Sequence, residues 1–153
     1  MGIIEAGSRL PDIRLKDQEG NEIDLSTLRG RRLLLSFHPL AWTGVCQRQM
    51  EALEAESETI EALNAQAFGL SVDASPTKKA WADAIGVVKT RLLSDFWPHG
   101  GVAKALGIFD EETGLSARAA VIADEEGIVR FAKVYPIGDV PDLKEQLEAL
   151  ESL

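Results

Sequence analysis

The chain has 153 residues, 45% of them hydrophobic, and a net charge of −9. Such a length suits one domain, residues 1–153, with a sizeable core, and the acidic balance speaks against nucleic acid and anionic membrane surfaces as partners. Two histidines and one cysteine are too few for a Cys/His zinc cluster, and a lone cysteine excludes an internal disulfide.

Gly7-Ser8-Arg9-Leu10-Pro11 reads as a loop leading to the alternating pair Ile13 and Leu15. Asp17-Gln18-Glu19-Gly20-Asn21 is a turn, and Ile23 and Leu25 alternate after it, which predicts an N-terminal β-hairpin. Arg31-Arg32 reads as a solvated entry to a buried strand over residues 33–37. Residues 45–64 hold no proline or internal glycine, and Cys46, Met50, Leu53, Ser57 and Ile60 recur at spacings of four and three. That period predicts one long amphipathic helix with its acidic residues outward. Residues 67–72 read as a strand, and Ser75-Pro76 as the cap and first position of a helix carrying Trp81 to about Gly86. A short strand over 91–94, a loop over 95–101 and an apolar segment over 102–106 follow. Residues 119–123 and 128–134 read as strands joined by the turn Asp124-Glu125-Glu126-Gly127, and Val140-Pro141-Asp142 opens a last helix. Strands alternating with helices predict an α/β fold, a central mixed β-sheet flanked by helices.

The chemistry concentrates where the strand over 33–37 runs into the long helix. A lone cysteine is often only a small buried hydrophobe, but Cys46 has unusual neighbours. It stands at a helix start, where amides are unpaired and the dipole is positive. That end favours anions, and the thiolate is the reactive form of cysteine. Pro39 fixes a turn and can wall one side of a pocket. Thr43 can cap the helix and direct a hydroxyl into the same space. The amides of Val45 and Cys46 can hold oxygen atoms as an oxyanion site does. No carboxylate follows the cysteine until Glu51.

In these residues the chain resembles the peroxiredoxins of the AhpC/TSA superfamily. The family pattern Pro-x-x-x-Thr-x-x-Cys falls on Pro39, Thr43 and Cys46. Phe37, Pro39-Leu40-Ala41 and Thr43-Gly44-Val45-Cys46-Gln47 are most similar to the one-cysteine branch of the alkyl hydroperoxide reductase E type. Leu93-Ser94-Asp95-Phe96-Trp97-Pro98-His99-Gly100 and Ser116-Ala117-Arg118-Ala119 extend the resemblance. It implies a thioredoxin-like fold and a thiol-dependent peroxidase that needs no metal, flavin or heme. Cys46, Thr43, Arg118 and Pro39 are then the expected catalytic residues. Pro39, Thr43, Val45, Cys46 and Arg118 are expected to bind substrate, with Leu40, Trp42, Gly44 and Gln49 lining or supporting the pocket. Gln49 stands where many family members carry a glutamate that orients the arginine. His38 and His99 are read as structural.

The resemblance implies reduction of hydrogen peroxide and organic hydroperoxides, with peroxynitrite a further candidate. Without a second cysteine, the sulfenic acid needs an external thiol or redoxin. The pocket is accordingly expected to open to solvent along residues 39–43. A homodimer is expected, with Leu40, Ala41, Trp42, Phe96 and Trp97 as an apolar interface. No run reaches membrane-spanning length and no secretory pattern is visible, so a cytoplasmic protein is expected. The competing readings are a stoichiometric peroxide sensor or thiol-redox binding module, and a structural domain with an inert thiol.

Overall fold

Apolar alternation and helical period decide most of the elements in the computed structural model, which describes residues 2–153. The chain runs β1 (Arg14–Asp17), β2 (Glu22–Asp24), a 3-10 turn (Leu25–Leu28), β3 (Arg32–Phe37), α1 (Gly44–Ala55), α2 (Ser57–Ala62) and β4 (Ala65–Ser71). It continues with α3 (Ser75–Ile85), β5 (Arg91–Ser94), α4 (Gly101–Ala105), β6 (Phe109–Asp110), β7 (Leu115–Ser116), β8 (Arg118–Ala123), β9 (Val129–Tyr135) and α5 (Leu143–Glu151). Seven strands form one mixed sheet in the order β2-β1-β5-β4-β3-β8-β9. β3 pairs parallel to β4 and antiparallel to β8. The sheet with its flanking helices is the thioredoxin-like arrangement, and β1–β2 is the expected hairpin.

The period of two along each strand divides the core. Leu33, Leu35 and Phe37 of β3 join Ala119, Val121 and Ala123 of β8 in one cluster, with Ala103 and Leu106 of the α4 region. Leu34, Ala120 and Ile122 face the other way, with Met50 of α1, Trp81 of α3 and Leu150 of α5. Arg118 shares the parity of Ala120 and Ile122 and so points to the α1 side. Gly69 of β4 lies under Met50, and a methyl group there would collide with Met50 Sδ and a Leu92 methyl. The bare backbone lets α1 lie close on the sheet.

Several elements differ from expectation. The helix predicted over 45–64 is two helices, broken at Glu56, whose N–H is shared between Ala52 and Leu53 carbonyls. No glycine or proline marks that tightening. The cap of α3 is Ala74, with Ser75 already helical, and no side chain caps this end. The arginine pair is not merely solvated. Arg32 donates to the carbonyls of Leu150 and Leu153 at 2.8 Å each and to Glu125, and Arg31 donates to Ala65 O. Arg32 thereby pins the end of α5 to the sheet. The two-residue strands β6 and β7 carry too few side chains for a legible period.

Candidate active site

β3 and β8 bring the two principal side chains together. Their antiparallel register sets Phe37 opposite Ala119. Arg118 therefore enters β8 beside the point where the chain leaves β3 for the loop into α1. Cys46 is the third residue of α1 and has no exposed surface. Arg118 Nη1 lies 3.4 Å from Cys46 Sγ, although 72 residues separate them in sequence.

Arg118 is 3% exposed, and burying a cation is costly unless its donors are filled. Nε and Nη2 donate to Ile137 O at 3.1 and 2.9 Å. Nη1 also donates to Gln49 Oε1 at 2.8 Å. None of these acceptors is a carboxylate. Gln49, one helical turn after Cys46, is buried and donates through Nε2 to Ser36 Oγ at 2.7 Å and Phe37 O at 3.1 Å. A glutamate could not make those two donations. The amide thus orients Arg118 and ties α1 to β3, and no carboxylate neutralises the arginine charge beside the sulfur.

The loop over residues 38–43 lies between strand and thiol. Pro39 is buried, whereas Leu40, Trp42, Thr43 and Gly44 are exposed and Val45 is half-buried. Thr43 occupies the N-cap position of α1, but its side chain does not cap. Its hydroxyl turns to donate to Leu40 O at 2.7 Å. The first rung of the helix is Gln47 N–H to Thr43 O at 2.9 Å. The amides of Val45 and Cys46 stand ahead of that rung, at the positive end of the dipole. Trp42 has φ of 69°, a left-handed conformation rare for a bulky residue. The expected opening along residues 39–43 is absent: Cys46 packs within the cluster of Ala41, Met50 and Ala120. In this conformation the Cys46 side chain is closed off from solvent. Ala41 is also only 3% exposed, so it belongs to this packing and not to the exposed apolar surface expected of it.

A second polar group borders the site: His38, read from the sequence as structural, and Lys78, which the sequence pattern did not single out. His38 and Lys78 have no exposed surface. Lys78 Nζ lies 3.4 Å from His38 Nε2 and donates to Ser71 Oγ. Burial, followed by the charges of Lys78 and Arg118, holds the His38 pKa well below its ordinary value, so the ring is neutral. His38 and Trp81 rings pack at 5.2 Å. Lys78 is legible in retrospect: it precedes the core residue Trp81 by three positions, on one helix face. His99 stays structural, its Nε2 lying 2.7 Å from Gly114 O.

The whole chain is similar to several known proteins. The model of the AhpC/TSA family matches residues 6–132. The chain is 38% identical to alkyl hydroperoxide reductase E of Mycobacterium tuberculosis over 152 residues, covering 99% of each. It is 28% identical to the chloroplastic 2-Cys peroxiredoxin BAS1 of Hordeum vulgare, over 96% of this chain and 74% of that protein. The crystal structure of Enterococcus faecalis AhpC superposes with a TM-score of 0.90 at 25% identity, covering 99% of this chain and 92% of that one.

Proposed function

The chain belongs to the AhpC/TSA family, the peroxiredoxins, and is a thiol-dependent peroxidase; on that premise we propose that Cys46 is the residue that meets the peroxide, with Arg118, Thr43 and Pro39 completing the catalytic group. The observation that carries this reading is the Arg118 guanidinium 3.4 Å from a thiol at the start of α1.

The Cys46 thiolate attacks one peroxide oxygen. An S–O bond forms, the O–O bond breaks, and the electron pair leaves with the distal oxygen, which takes a proton to become ROH or water. Sulfur is oxidised by two electrons and the peroxide is reduced by two. Arg118 and the amides of Val45 and Cys46 stabilise charge developing on the oxygens. The Thr43 hydroxyl offers its lone pairs to the peroxide O–H, and Pro39 shields the sulfur from one side. Gln49 orients Arg118, and Leu40, Trp42 and Gly44 border the approach. An external thiol then attacks the sulfenic acid, releasing water and forming a mixed disulfide. A second thiol attacks that disulfide and frees Cys46.

The substrates in this reading are hydrogen peroxide and organic hydroperoxides, with peroxynitrite a further oxidant to test. The chain acts as one domain in the cytoplasm. Among the described residues no helix is long and apolar enough to cross a membrane. A homodimer covers the exposed side chains of Leu40, Trp42, Phe96 and Trp97, which range from 38 to 78% exposed. Stopped-flow oxidation by a panel of peroxides, followed by turnover with added thiols, tests the proposal. Repeated cycles are expected. A single stoichiometric oxidation that no thiol reverses would favour a sensor.

A further inference from the structure

Helix α3 carries two neighbouring lysines with opposite fates. Lys79 is half-exposed and pairs with Glu19 and Asp83. Lys78 is fully buried on the face that also holds Trp81 and Ala82. A buried amine must have its donors filled, and the partners of this one all lead to the loop in front of Cys46. Nζ donates to Ser71 Oγ at 2.5 Å and lies 3.4 Å from His38 Nε2. Ser71 Oγ in turn donates to Asp73 Oδ2 at 2.6 Å. The same carboxylate oxygen accepts the Ala41 N–H at 2.9 Å. His38 and Ala41 bracket Pro39 and Leu40, and Trp42 and Thr43 follow directly into α1. The amine therefore grips this loop at two points, directly at His38 and through Ser71 and Asp73 at Ala41.

We propose that Lys78 is a positioning residue for the peroxidase reaction: a buried amine clamp that holds the 38–43 loop, with Pro39 and Thr43, in place beside Cys46. The proposal rests on Cys46 being the peroxide-reactive thiol. Lys78 touches no reacting atom in this role and acts through the loop.

The electrostatics supports a clamp that responds to pH. Burial lowers the Lys78 pKa to about 7, against the opposing pull of Asp73, Cys46 and Asp95. The groups that face the amine are His38 at the end of β3, Ser71 and Asp73 at the end of β4, Cys46 on α1, and Asp95 after β5. Arg118 on β8 acts on His38. Asp95 is itself held above the ordinary carboxylate range by burial, although the amides of Val102 and Ala103 donate to it. Below about pH 7 Lys78 is an ammonium, with three donors and a charge that attracts Asp73. Above it the charge is lost and the hold on Ala41 weakens.

Two quantities test the clamp across neutral pH: hydrogen exchange of the Ala41 amide, and the rate of Cys46 oxidation per thiolate. Both are measured for the wild type, Lys78→Met and Ser71→Ala. The clamp predicts about tenfold faster Ala41 exchange and about tenfold slower oxidation in each variant, because a loop displaced by a fraction of an ångström loses that much. It also predicts a step near pH 7 in the wild-type profiles that Lys78→Met lacks. If Lys78→Met does not fold, Ser71→Ala decides, since it keeps the amine and cuts only the relay. Ala41 exchange at the wild-type rate in a folded variant would overturn the clamp. The exchange measurement involves no peroxide, so failure of the peroxidase reading shows separately, as a wild-type Cys46 that peroxide does not oxidise.

Discussion

Helix α5 starts on Asp142, whose carboxylate accepts the Glu145 N–H at 3.2 Å, and it carries Glu145 in its first turn. Helix α1 starts on Thr43, whose hydroxyl turns away to Leu40 O, and it has no acid in its first turn. The first arrangement satisfies orphan amides and the dipole from within the chain. The second forgoes a cap contribution of about 1 kcal/mol and leaves amides for something that arrives. The buried cation beside α1 fits the same interpretation, because the contacts of Arg118 include a sulfur and neutral oxygens but no carboxylate. One helix start is capped from within the chain, whereas the other, in the proposed reading, keeps its electrostatic capacity for an anion.

The largest effect is expected from removing the nucleophile. Cys46→Ser should abolish peroxide consumption while circular dichroism and melting stay near those of the parent. Consumption at a tenth of the parent rate or more (roughly 1.4 kcal/mol of barrier) would move the chemistry elsewhere. Next comes the cation. Arg118→Met removes a donor from developing charge, a loss of about 3 kcal/mol, so oxidation should slow by about a hundredfold. A near-normal rate in stopped flow would reduce Arg118 to a strut between β8 and Ile137. The smallest pair addresses the helix starts themselves. Asp142→Ala should cost about 1 kcal/mol of stability in urea titration and leave oxidation unchanged. Thr43→Ala should cost no more stability than that, yet slow oxidation by about tenfold or more. If the two variants show the same profile, the contrast between the starts has no functional content.

Much of this was legible from the sequence, for physical reasons that differ by region. The strand over 33–37 and the helix after it announce themselves by period, and Cys46 by its position at their junction. Arg118 was not legible from local pattern. Its contact with the thiol depends on the register of β3 against β8, a non-local pairing that only the family resemblance brought within reach. Gln49 stood out as a departure from the family glutamate, but its second function, donating to Ser36 and Phe37, needed the folded strand beside it. Lys78 was hidden by its chemistry, since a lysine next to a lysine on a helix reads as solvated surface. The break at Glu56 left no trace because it arises from a shared hydrogen bond and not from a breaker residue.

If the uncapped start of α1 receives peroxide at Cys46, the sulfenic acid that forms meets no internal thiol. Mass spectrometry after one equivalent of peroxide in the presence of dimedone identifies the product. The expected product is a dimedone adduct on Cys46 with no disulfide to a second chain, and sulfinic acid under excess peroxide. A predominant Cys46–Cys46 disulfide between two chains, with no adduct, would contradict it.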